Sequence, residues 1–440
     1  MMFKAVANER QLPNLTAAQR IRQRIRTIPA ASVHAWKLAT GPIRVLFLIT
    51  VLMAVLLVVS ECRVRSLAAT VARSETGVPP ISGRRSEPCT EANPCQIQLV
   101  ADMDERSLVK GDKPHYESRM MFGSLFMDEQ EQVHVTWKTA GMPMKIMGGL
   151  AESGRGMELS ELVLWNGQML AFDDRTGIVY ELITVLEDGT TSPLVDTVMR
   201  HKDDDTEPRW SVKPLPRYVL TEDPNSVKGM KVEWACEVDG DLMVGSFGKE
   251  YTTGDGSQIT GEANFWVARI EAPRNKNKPG LRSNGSPQPI VEKINWKGQY
   301  NRLRELTRTS YPGYMIHEAV NYSDKKKKWF FLPRRISKEQ YDEVLDESRG
   351  ASLILEVDPS FSDLVSYPID FAVQQPHRGF SSFKFMPGTN DEIIIAVRSV
   401  EVAKRRETQT FLSVFDVKGK VYMNEVNISE YCKYEGLEIW

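Results

Sequence analysis

The chain has 440 residues, of which 41% are hydrophobic, and its formal net charge is −2. This length and composition allow a sizeable buried core, and they exceed one average domain unless that domain is a large β or α/β type. The balanced charge excludes the basic face and high pI that nucleic-acid recognition requires, so no nucleic-acid partner is expected.

The N-terminal segment differs in kind from everything after it. Residues 45–59, VLFLITVLMAVLLVV, form an uncharged apolar run, and counting Ile43 and Ser60 the sequence predicts a transmembrane helix over 43–60. Lys and Arg dominate the preceding residues, where Glu9 is the single acid. The positive-inside rule therefore places a basic 1–42 tail in the cytosol and the large C-terminal part in the lumen or outside. A cleaved signal peptide is the alternative, but this basic region is longer than a signal's n-region.

Residues 61–96 are predicted to form a stem between the membrane and a folded domain at 97–440. The stem is rich in Ser, Arg, Pro, Thr and Gly and contains few large apolar residues. Within it Cys89 and Cys95 are close enough in sequence to pair in an oxidising lumen.

The pattern of the domain predicts an all-β fold. Short apolar runs rich in β-branched and aromatic residues are broken by turn signals every eight to twelve residues, roughly the spacing typical of all-β domains. Only 300–308 and 337–349 have helical patterns. One arrangement, a polar residue followed by two apolar strands and a turn, recurs at 157–172, 231–247, 315–332 and 379–397, and its first half returns at 433–440. Five such units predict a five-bladed β-propeller that a lone terminal strand closes, with a β-sandwich as the alternative.

Equivalent positions of propeller blades meet around a central axis, so the recurrent polar residues are predicted to converge there. Several carboxylates in one channel repel each other unless a cation lies between them, and an oxygen-only ligand set suits Ca²⁺ better than Zn²⁺. The alternative is that these residues cap strand ends and point to solvent. The predicted ligands are Ser160, Glu161, Glu233, Glu318, Ser381 and Glu435.

The segment LAFDDRTGIVYEL, residues 170–182, combines turn chemistry with charges that suit phosphate binding. Asp, Thr and Gly are typical of a hairpin turn, and Asp173 is predicted to be structural. The sequence contains no P-loop, GxSxG or HExxH motif. The remaining set of carboxylates, arginines and a divalent cation suits the hydrolysis of phosphate esters or anhydrides.

A series of motifs in one order resembles the calcium-activated nucleotidase (apyrase) family from about residue 97 to the C-terminus. The motifs are ADMDERS (101–107), GRGMELSEL (154–162), AFDDRTGIVYEL, KVEWACE, GKEYTTGDG, YPGYMIHEA, WFFLPRR (329–335), GFSSFKF (379–385) and KYEGLEI. The resemblance implies a five-bladed propeller with Ca²⁺ in its central channel. It also implies hydrolysis of nucleoside di- and triphosphates to monophosphates, with membrane-anchored Golgi and ER members favouring UDP and GDP.

The resemblance assigns roles to individual residues. The family's calcium ligands fall on the six recurrent residues, with Glu161 where the family often has Asp, and its essential acids fall on Asp102 and Asp174. The sequence departs from the family at Tyr251, where Trp is usual, and at Arg378, where His is usual. Further candidates for binding or supporting the phosphates are Asp104, Arg175, Lys249, Glu250 and Arg334, and Tyr251 is the candidate for base stacking.

Together these observations predict a type II membrane protein of the Golgi or ER, whose lumenal domain is a calcium-dependent apyrase. In this interpretation Asp102 and Asp174 position the attacking water, while Ca²⁺ and Arg175 stabilise charge on the phosphates. The expected partners are a nucleotide and the membrane, with a homodimer left open. Two alternatives are a non-catalytic propeller that calcium rigidifies, and a calcium-dependent propeller hydrolase of lactones or organophosphates.

Overall fold

A computed structural model describes residues 85–138, 143–200, 210–272, 290–402 and 407–440. The predicted tail, the 43–60 span and most of the stem lie outside these residues. Within the part that the structure describes, no helix is long and apolar enough to cross a membrane. A disulfide joins Cys89 to Cys95, as the sequence predicts.

The described residues are mostly β-strand, which confirms the predicted fold class. The first ten strands are β1 (Cys95–Asp102), β2 (Leu108–Val109), β3 (His115–Met127), β4 (Val133–Trp137), β5 (Met144–Gly148), β6 (Leu159–Trp165), β7 (Gln168–Asp173), β8 (Ile178–Leu186), β9 (Thr191–Pro193) and β10 (Trp210–Val219).

The second half of the domain continues the same pattern of short antiparallel strands. These strands are β11 (Trp234–Val238), β12 (Asp241–Gly245), β13 (Tyr251–Thr252), β14 (Ile259–Gly261), β15 (Trp266–Ile270), β16 (Val291–Asn295), β17 (Tyr314–Ser323), β18 (Lys328–Ser337), β19 (Leu353–Val357), β20 (Leu364–Pro368), β21 (Arg378–Phe385), β22 (Ile393–Val402), β23 (Glu407–Asp416), β24 (Val421–Ser429) and β25 (Lys433–Ile439).

Three short α-helices lie among the described residues: α1 (Leu194–Arg200), α2 (Lys297–Thr307) and α3 (Glu343–Asp346). Helix α2 confirms the helical pattern predicted at 300–308. The second predicted helix, at 337–349, is wrong in extent because only α3 forms there. The Asp342 carboxylate caps α3 by accepting hydrogen bonds from the N–H groups of Val344 and Leu345.

The strands form one large sheet and three four-stranded sheets, besides a two-stranded ribbon of β13 and β14. The large sheet has the order β25-β1-β3-β5-β10-β8-β7-β6, and the others are β11-β12-β15-β16, β17-β18-β19-β20 and β21-β22-β23-β24. Within the large sheet a single parallel pairing, Ile146 with Val212, joins β5 to β10. The C-terminal strand β25 pairs antiparallel with β1, so the two ends of the domain are joined.

The recurring sequence units correspond to the hairpins β6–β7, β11–β12, β17–β18 and β21–β22, and to the single strand β25. We call β6, β11, β17, β21 and β25 the ring strands, because each packs against two others in the closed order β6-β11-β17-β21-β25-β6. Asn166-Gly167 and Asp239-Gly240 turn the first two hairpins with positive φ at both residues, as tight two-residue turns require.

Burial explains the difference between inner and outer strands. Every residue of β6 and of β25 is buried, including the charged residues Glu161, Lys433, Glu435 and Glu438. The outer strand β20 is largely exposed or half-buried. Five clusters of buried apolar side chains form the core: one lies between strands of the large sheet, and four lie between neighbouring sheets. Trp234, fully buried in one of the four, is a position where truncation to Ala costs about 3–5 kcal/mol.

Candidate active site

Five polar residues occupy matching places at the start of the ring strands. In four of these strands the pairing register skips one residue, namely Ser160 in β6, Glu318 in β17, Ser381 in β21 and Glu435 in β25. In the fifth, Glu233 directly precedes β11, and its N–H donates to a carbonyl of β12 at 2.9 Å. Bulges of this kind re-aim a side chain out of the normal alternation. The recurrence in the sequence therefore corresponds to a structural repeat.

A cavity of about 400 Å³ opens beside these residues. It brings together many of the residues that the sequence selects: Asp102, Asp104, Asp174, Glu233, Lys249, Tyr251, Glu318, Arg334 and Glu435. It is also lined by residues that the sequence reasoning missed: Arg155, Lys231, Phe247, Thr252, Ile316, Arg335, Tyr341, Asp346, Glu401 and Lys433. The lining is dominated by charged groups of both signs, which suits a phosphorylated ligand with a cation.

Lys231 joins two acids of the cavity. Its Nζ lies 2.5 Å from Asp174 Oδ2 and 2.7 Å from Glu233 Oε1. Burial lowers the pKa of Lys231, but the attraction of these two carboxylates outweighs burial and raises that pKa well above its ordinary value. Burial and the repulsion of Glu318 raise the pKa of Glu233 to about 8, and the attraction of Lys231 offsets only part of this rise. Lys231 is therefore an ammonium at neutral pH.

Lys433 has the same role on the other side of the cavity. Its Nζ lies 2.7 Å from Asp102 Oδ2, 3.2 Å from Asp104 Oδ2 and 3.6 Å from Glu435 Oε1. Burial opposes ionisation of Asp102, but the Lys433 ammonium and the Asp104 N–H bring its pKa below the ordinary value. Burial and the repulsion of Asp102 raise the pKa of Asp104 to about 6. Asp102 is therefore a carboxylate at neutral pH.

Arg334 contacts two glutamates and two serines near the cavity. Its Nη1 lies 2.6 Å from Glu318 Oε2 and 3.4 Å from Glu435 Oε1. The same nitrogen donates to the hydroxyl groups of Ser381 at 2.8 Å and Ser399 at 3.0 Å. Burial raises the pKa of both glutamates despite this guanidinium. The four hydrogen bonds fix Arg334 firmly in its place.

Three carboxylates, those of Asp102, Glu158 and Asp174, each offer an oxygen within 4.8 Å of the others. The backbone brings them together, since the Asp174 N–H donates to the Glu158 carbonyl at 3.0 Å. Burial raises the pKa of Glu158 to about 8, even though Arg155 Nη2 lies 2.5 Å from its Oε2, because Asp102 and Asp174 repel it. Arg155 also reaches Asp104 at 3.3 Å. Each acid of this cluster has a cationic partner: Lys433 contacts Asp102, Arg155 contacts Glu158 and Lys231 contacts Asp174.

Glu161, predicted as a calcium ligand, lies away from the cavity. It is 1% exposed, and its Oε1 lies 3.0 Å from the Ser382 hydroxyl and 3.3 Å from Lys384 Nζ. Burial raises its pKa to about 7, with Lys384 opposing. Ser160 likewise makes an internal contact, donating to the Val232 carbonyl at 2.7 Å. The structure thus pairs Glu161 with an internal ammonium.

Arg175 and Glu250, both predicted to act on the phosphates, do not line the cavity either. The Arg175 Nε lies 3.4 Å from a carboxylate oxygen of Glu152, in a half-exposed pair. Glu250 forms a buried ion pair with Arg304, at 2.7 Å. The geometry gives Glu250 a role in holding α2 against the loop at 245–250.

The two departures from the family pattern have different surroundings. Tyr251 lines the cavity, and its ring centroid lies 5.7 Å from that of Phe247 in an edge-to-face arrangement. Arg378 instead donates to Glu425 at 2.7 Å, and its guanidinium lies 3.5 Å from the centroid of the Phe411 ring. Arg378 therefore contacts residues of its own sheet and is not among the residues that line the cavity.

The donor set of the cavity fits Ca²⁺. Glu233, Glu318 and Glu435 present carboxylate oxygens to the cavity, and a hard cation prefers such oxygens. Buried acids with raised pKa values gain most from a cation nearby. One further oxygen, Oδ1 of Asp174, is buried without a hydrogen-bond partner in the described structure. Glu233, Glu318 and Glu435 line the cavity and are therefore the residues best suited to hold the ion, with Asp174 beside them. Ser381 contacts Arg334 of the same lining.

A signal in the sequence could have found several of the missed residues. Glu158, Lys231 and Lys433 each stand two positions before one of the recurrent polar residues. Two of these residues, Lys231 and Lys433, line the cavity. Arg155 belongs to the loop before β6 and carries no such periodic signal.

Comparisons with known proteins identify the family of the chain. The Apyrase family model matches residues 103–440. An apyrase from Cimex lectularius is 36% identical over 344 residues, covering 78% of this chain and 82% of that protein. Soluble calcium-activated nucleotidase 1 from Rattus norvegicus is 35% identical over 346 residues, covering 78% of this chain and 73% of that protein. Apyrase apy-1 from Caenorhabditis elegans is 35% identical over 289 residues, covering 66% of this chain and 69% of that protein.

A mainly β domain with a cavity of carboxylates and cationic side chains, matched by these relatives, defines a nucleotide-hydrolysing enzyme. The chain belongs to the apyrase family. The family resemblance noted in the sequence is thereby confirmed.

Proposed function

We propose that the chain is a calcium-dependent apyrase that hydrolyses nucleoside diphosphates, UDP and GDP foremost, and triphosphates to monophosphate and phosphate. The observation that carries this proposal is the cavity that joins Asp102 and Asp174 to Lys231, Lys433 and Arg334. Phosphoryl transfer needs positioning and charge stabilisation more than covalent chemistry, and this lining supplies both. The calcium-activated name of the rat relative supports the choice of metal.

The fold that accompanies this proposal is a five-bladed β-propeller. Three observations support it: the closed order of the ring strands, the pairing of β25 with β1, and five apolar clusters, of which four lie between sheets and one lies between the two halves of the large sheet. In that arrangement β25-β1-β3-β5 and β6-β7-β8-β10 form two blades, which the single β5–β10 pairing links.

In the proposed mechanism, Asp102 and Asp174 orient a water for attack on the terminal phosphorus. The new P–O bond forms as the bond to the bridging oxygen breaks, and the proton of the water passes to a carboxylate. Asp102 suits this task because its lowered pKa keeps it ionised. Lys231, Lys433 and Arg155 line the same cavity and neutralise phosphate oxygens. Bound Ca²⁺ would polarise the phosphates. The cavity position of Arg155 favours it over Arg175 for stabilising charge.

The test is phosphate release by the full chain from UDP, GDP, ADP and ATP, with Ca²⁺, with Mg²⁺ and with a chelator. We expect turnover of the diphosphates in Ca²⁺ that the chelator abolishes, and loss of about 10²-fold or more in kcat for Asp102→Asn. Turnover of lactones or organophosphates without nucleotide hydrolysis would favour the alternative hydrolase. Unchanged activity in Asp102→Asn would remove the proposed role of this residue.

We also propose that the chain is a single-pass type II membrane protein whose catalytic domain faces the Golgi or ER lumen. The apolar 43–60 run and the basic 1–42 tail support this placement. The Cys89–Cys95 disulfide suits an oxidising compartment. Protease protection of the C-terminal domain in sealed microsomes, together with resistance to carbonate extraction, is the expected result. Digestion of that domain in sealed vesicles would contradict the proposed topology.

A further inference from the structure

Two lysines of the cavity occupy the same place in the structural repeat. Lys231 and Lys433 stand in the segments KVE (231–233) and KYE (433–435), each two residues before a recurrent glutamate. Each ammonium contacts that glutamate together with acids from other parts of the chain, which are Asp174 for Lys231, and Asp102, Asp104 and Glu401 for Lys433. The repeat has thus placed a cation twice beside the acids that suit a metal.

The partners of these ammoniums are the oxygens that a divalent cation would use. Lys231 contacts Glu233 and Asp174, and Lys433 contacts Glu435 and Asp102, at distances between 2.5 and 3.6 Å. A carboxylate that is shared between an ammonium and a divalent ion is attracted about twice as strongly by the double charge at equal distance. The ammonium and the metal therefore compete for the same acids.

Arg334 is held more firmly than the two lysines, so the lysines are the groups that can move. Its Nη1 donates to the hydroxyl groups of Ser381 and Ser399 as well as to acids, so its position does not depend on the carboxylates alone. Lys231 and Lys433 hold carboxylates through a single Nζ at the end of a flexible four-carbon stem. Replacing these contacts requires only a rotation of the stem.

We propose that Lys231 and Lys433 are exchangeable counter-ions, which a divalent cation displaces from Glu233 and Glu435 and which then bind the phosphates of the nucleotide. This inference rests on the proposed function. The displaced ammoniums remain in the cavity, where Asp102 and Asp174 still attract them. Cation binding thereby creates positive charge at the place where the phosphates arrive, and the two ligands strengthen each other's binding by the same factor.

The experiment measures binding rather than turnover. Isothermal titration calorimetry of the full chain gives the Ca²⁺ affinity of the wild type, Lys231→Met and Lys433→Met. We expect Ca²⁺ to bind about fivefold or more tightly in each methionine variant, a typical size for coupling between two ligands, because its competitor is gone. Lys249→Met is the matched control. It removes another cavity lysine, whose ammonium donates to the Glu250 carbonyl and the Thr252 hydroxyl, and we expect wild-type Ca²⁺ affinity.

A second measurement tests the coupling with a non-hydrolysable imido analogue of UDP. In the wild type, the analogue should bind more tightly with Ca²⁺ than without it. In the methionine variants the ratio of these two affinities should be smaller, because only direct contact between the metal and the phosphates then contributes to it. Lys433→Arg, which keeps the charge, should retain wild-type Ca²⁺ affinity and covers the case in which a methionine variant fails to fold.

The outcomes separate this inference from the proposed function. Wild-type or weaker Ca²⁺ affinity in both methionine variants, in an enzyme that still hydrolyses UDP with Ca²⁺, overturns the exchange and leaves the apyrase proposal standing. Tighter Ca²⁺ binding in Lys433→Arg also contradicts it. A wild type that binds no Ca²⁺ overturns both the exchange and the calcium dependence of the proposed function.

Discussion

Asp173 and Asp174 are adjacent in the chain, yet their carboxylates lie in different environments. Asp173 is fully buried, and its oxygens accept hydrogen bonds from the N–H groups of Met157 at 2.8 Å, Arg175 at 3.0 Å and Thr176 at 3.1 Å. Asp174 lines the cavity. The turn after β7 therefore uses one aspartate to hold its own backbone, which positions the next aspartate for chemistry.

This division of roles predicts opposite phenotypes for two neighbouring substitutions. Asp174→Asn should lower kcat by about 10²-fold or more while leaving the melting temperature near that of the wild type, because an ionisable group that contacts the substrate is lost. Asp173→Ala should destabilise the domain by about 2 kcal/mol or more, because buried N–H groups lose their acceptor. Thermal melts and phosphate release on the same preparations would check both. Loss of activity without loss of stability in Asp173→Ala would contradict this assignment.

Arg155 and Arg175 provide a second matched pair. Arg155 lines the cavity beside Asp104 and Glu158, whereas Arg175 pairs with Glu152 outside the lining. Arg155→Lys should lower kcat/KM by about tenfold or more, since Lys cannot reproduce the paired contacts of a guanidinium. Arg175→Lys should stay within about threefold of the wild type, as exposed ion pairs contribute little. Steady-state kinetics on UDP give both values, and a larger loss for Arg175→Lys would restore the role that its motif implies.

The repeat could be predicted from the sequence because a polar residue recurs at the same position relative to the apolar strands of each unit. Ser160, Glu318, Ser381 and Glu435 follow from this recurrence, and each proves to be the residue that its strand skips. Counting residues could not reveal the bulge, which depends on pairing with a partner strand. The bulge decides that Ser160 and not Glu161 occupies the repeated position.

Two of the predicted site residues have charged partners that are remote in sequence. Glu161 meets Lys384, and Glu250 meets Arg304, so the counter-ion of each acid comes from another sheet or from a helix. A motif records which residue types are present, but it does not record which charges neutralise each other after folding. For the same reason the sequence alone did not predict that Arg155 lines the cavity.

The pairing of Glu161 with Lys384 predicts that Glu161 contributes more to stability than to calcium binding. Glu161→Gln should change the Ca²⁺ Kd by less than about threefold. Glu435→Gln should raise this Kd by about tenfold or more, since even substitutions of the residues that support metal ligands typically cost that much affinity. Calorimetric titration with Ca²⁺ measures both constants. Equal losses in the two variants would show that Glu161 acts as a ligand.

The Glu250–Arg304 pair should be a stability element of the domain. Both residues are at most 5% exposed, so Arg304→Met leaves a buried acid without its partner and should cost about 3–5 kcal/mol in the free energy of unfolding. The double variant Arg304→Met/Glu250→Gln should recover part of this loss, because no charge is then left unpaired. Urea unfolding measures each value. A double variant as unstable as the sum of the two single variants would contradict coupling.

The lowered pKa of Lys249 predicts that activity falls at alkaline pH. Burial lowers its pKa to about 8, although Glu250 opposes the shift, and its Nζ lies 4.1 Å from the centroid of the Tyr341 ring. The group is an ammonium below this pKa and loses its charge as the pH rises through it, so kcat/KM should fall above about pH 8 if Lys249 binds phosphate. In Lys249→Arg the charge persists, and the descending limb should move to higher pH. Lys249→Met should lower kcat/KM at pH 7 and abolish the limb, whereas an unchanged pH profile in Lys249→Met would assign the limb to another group.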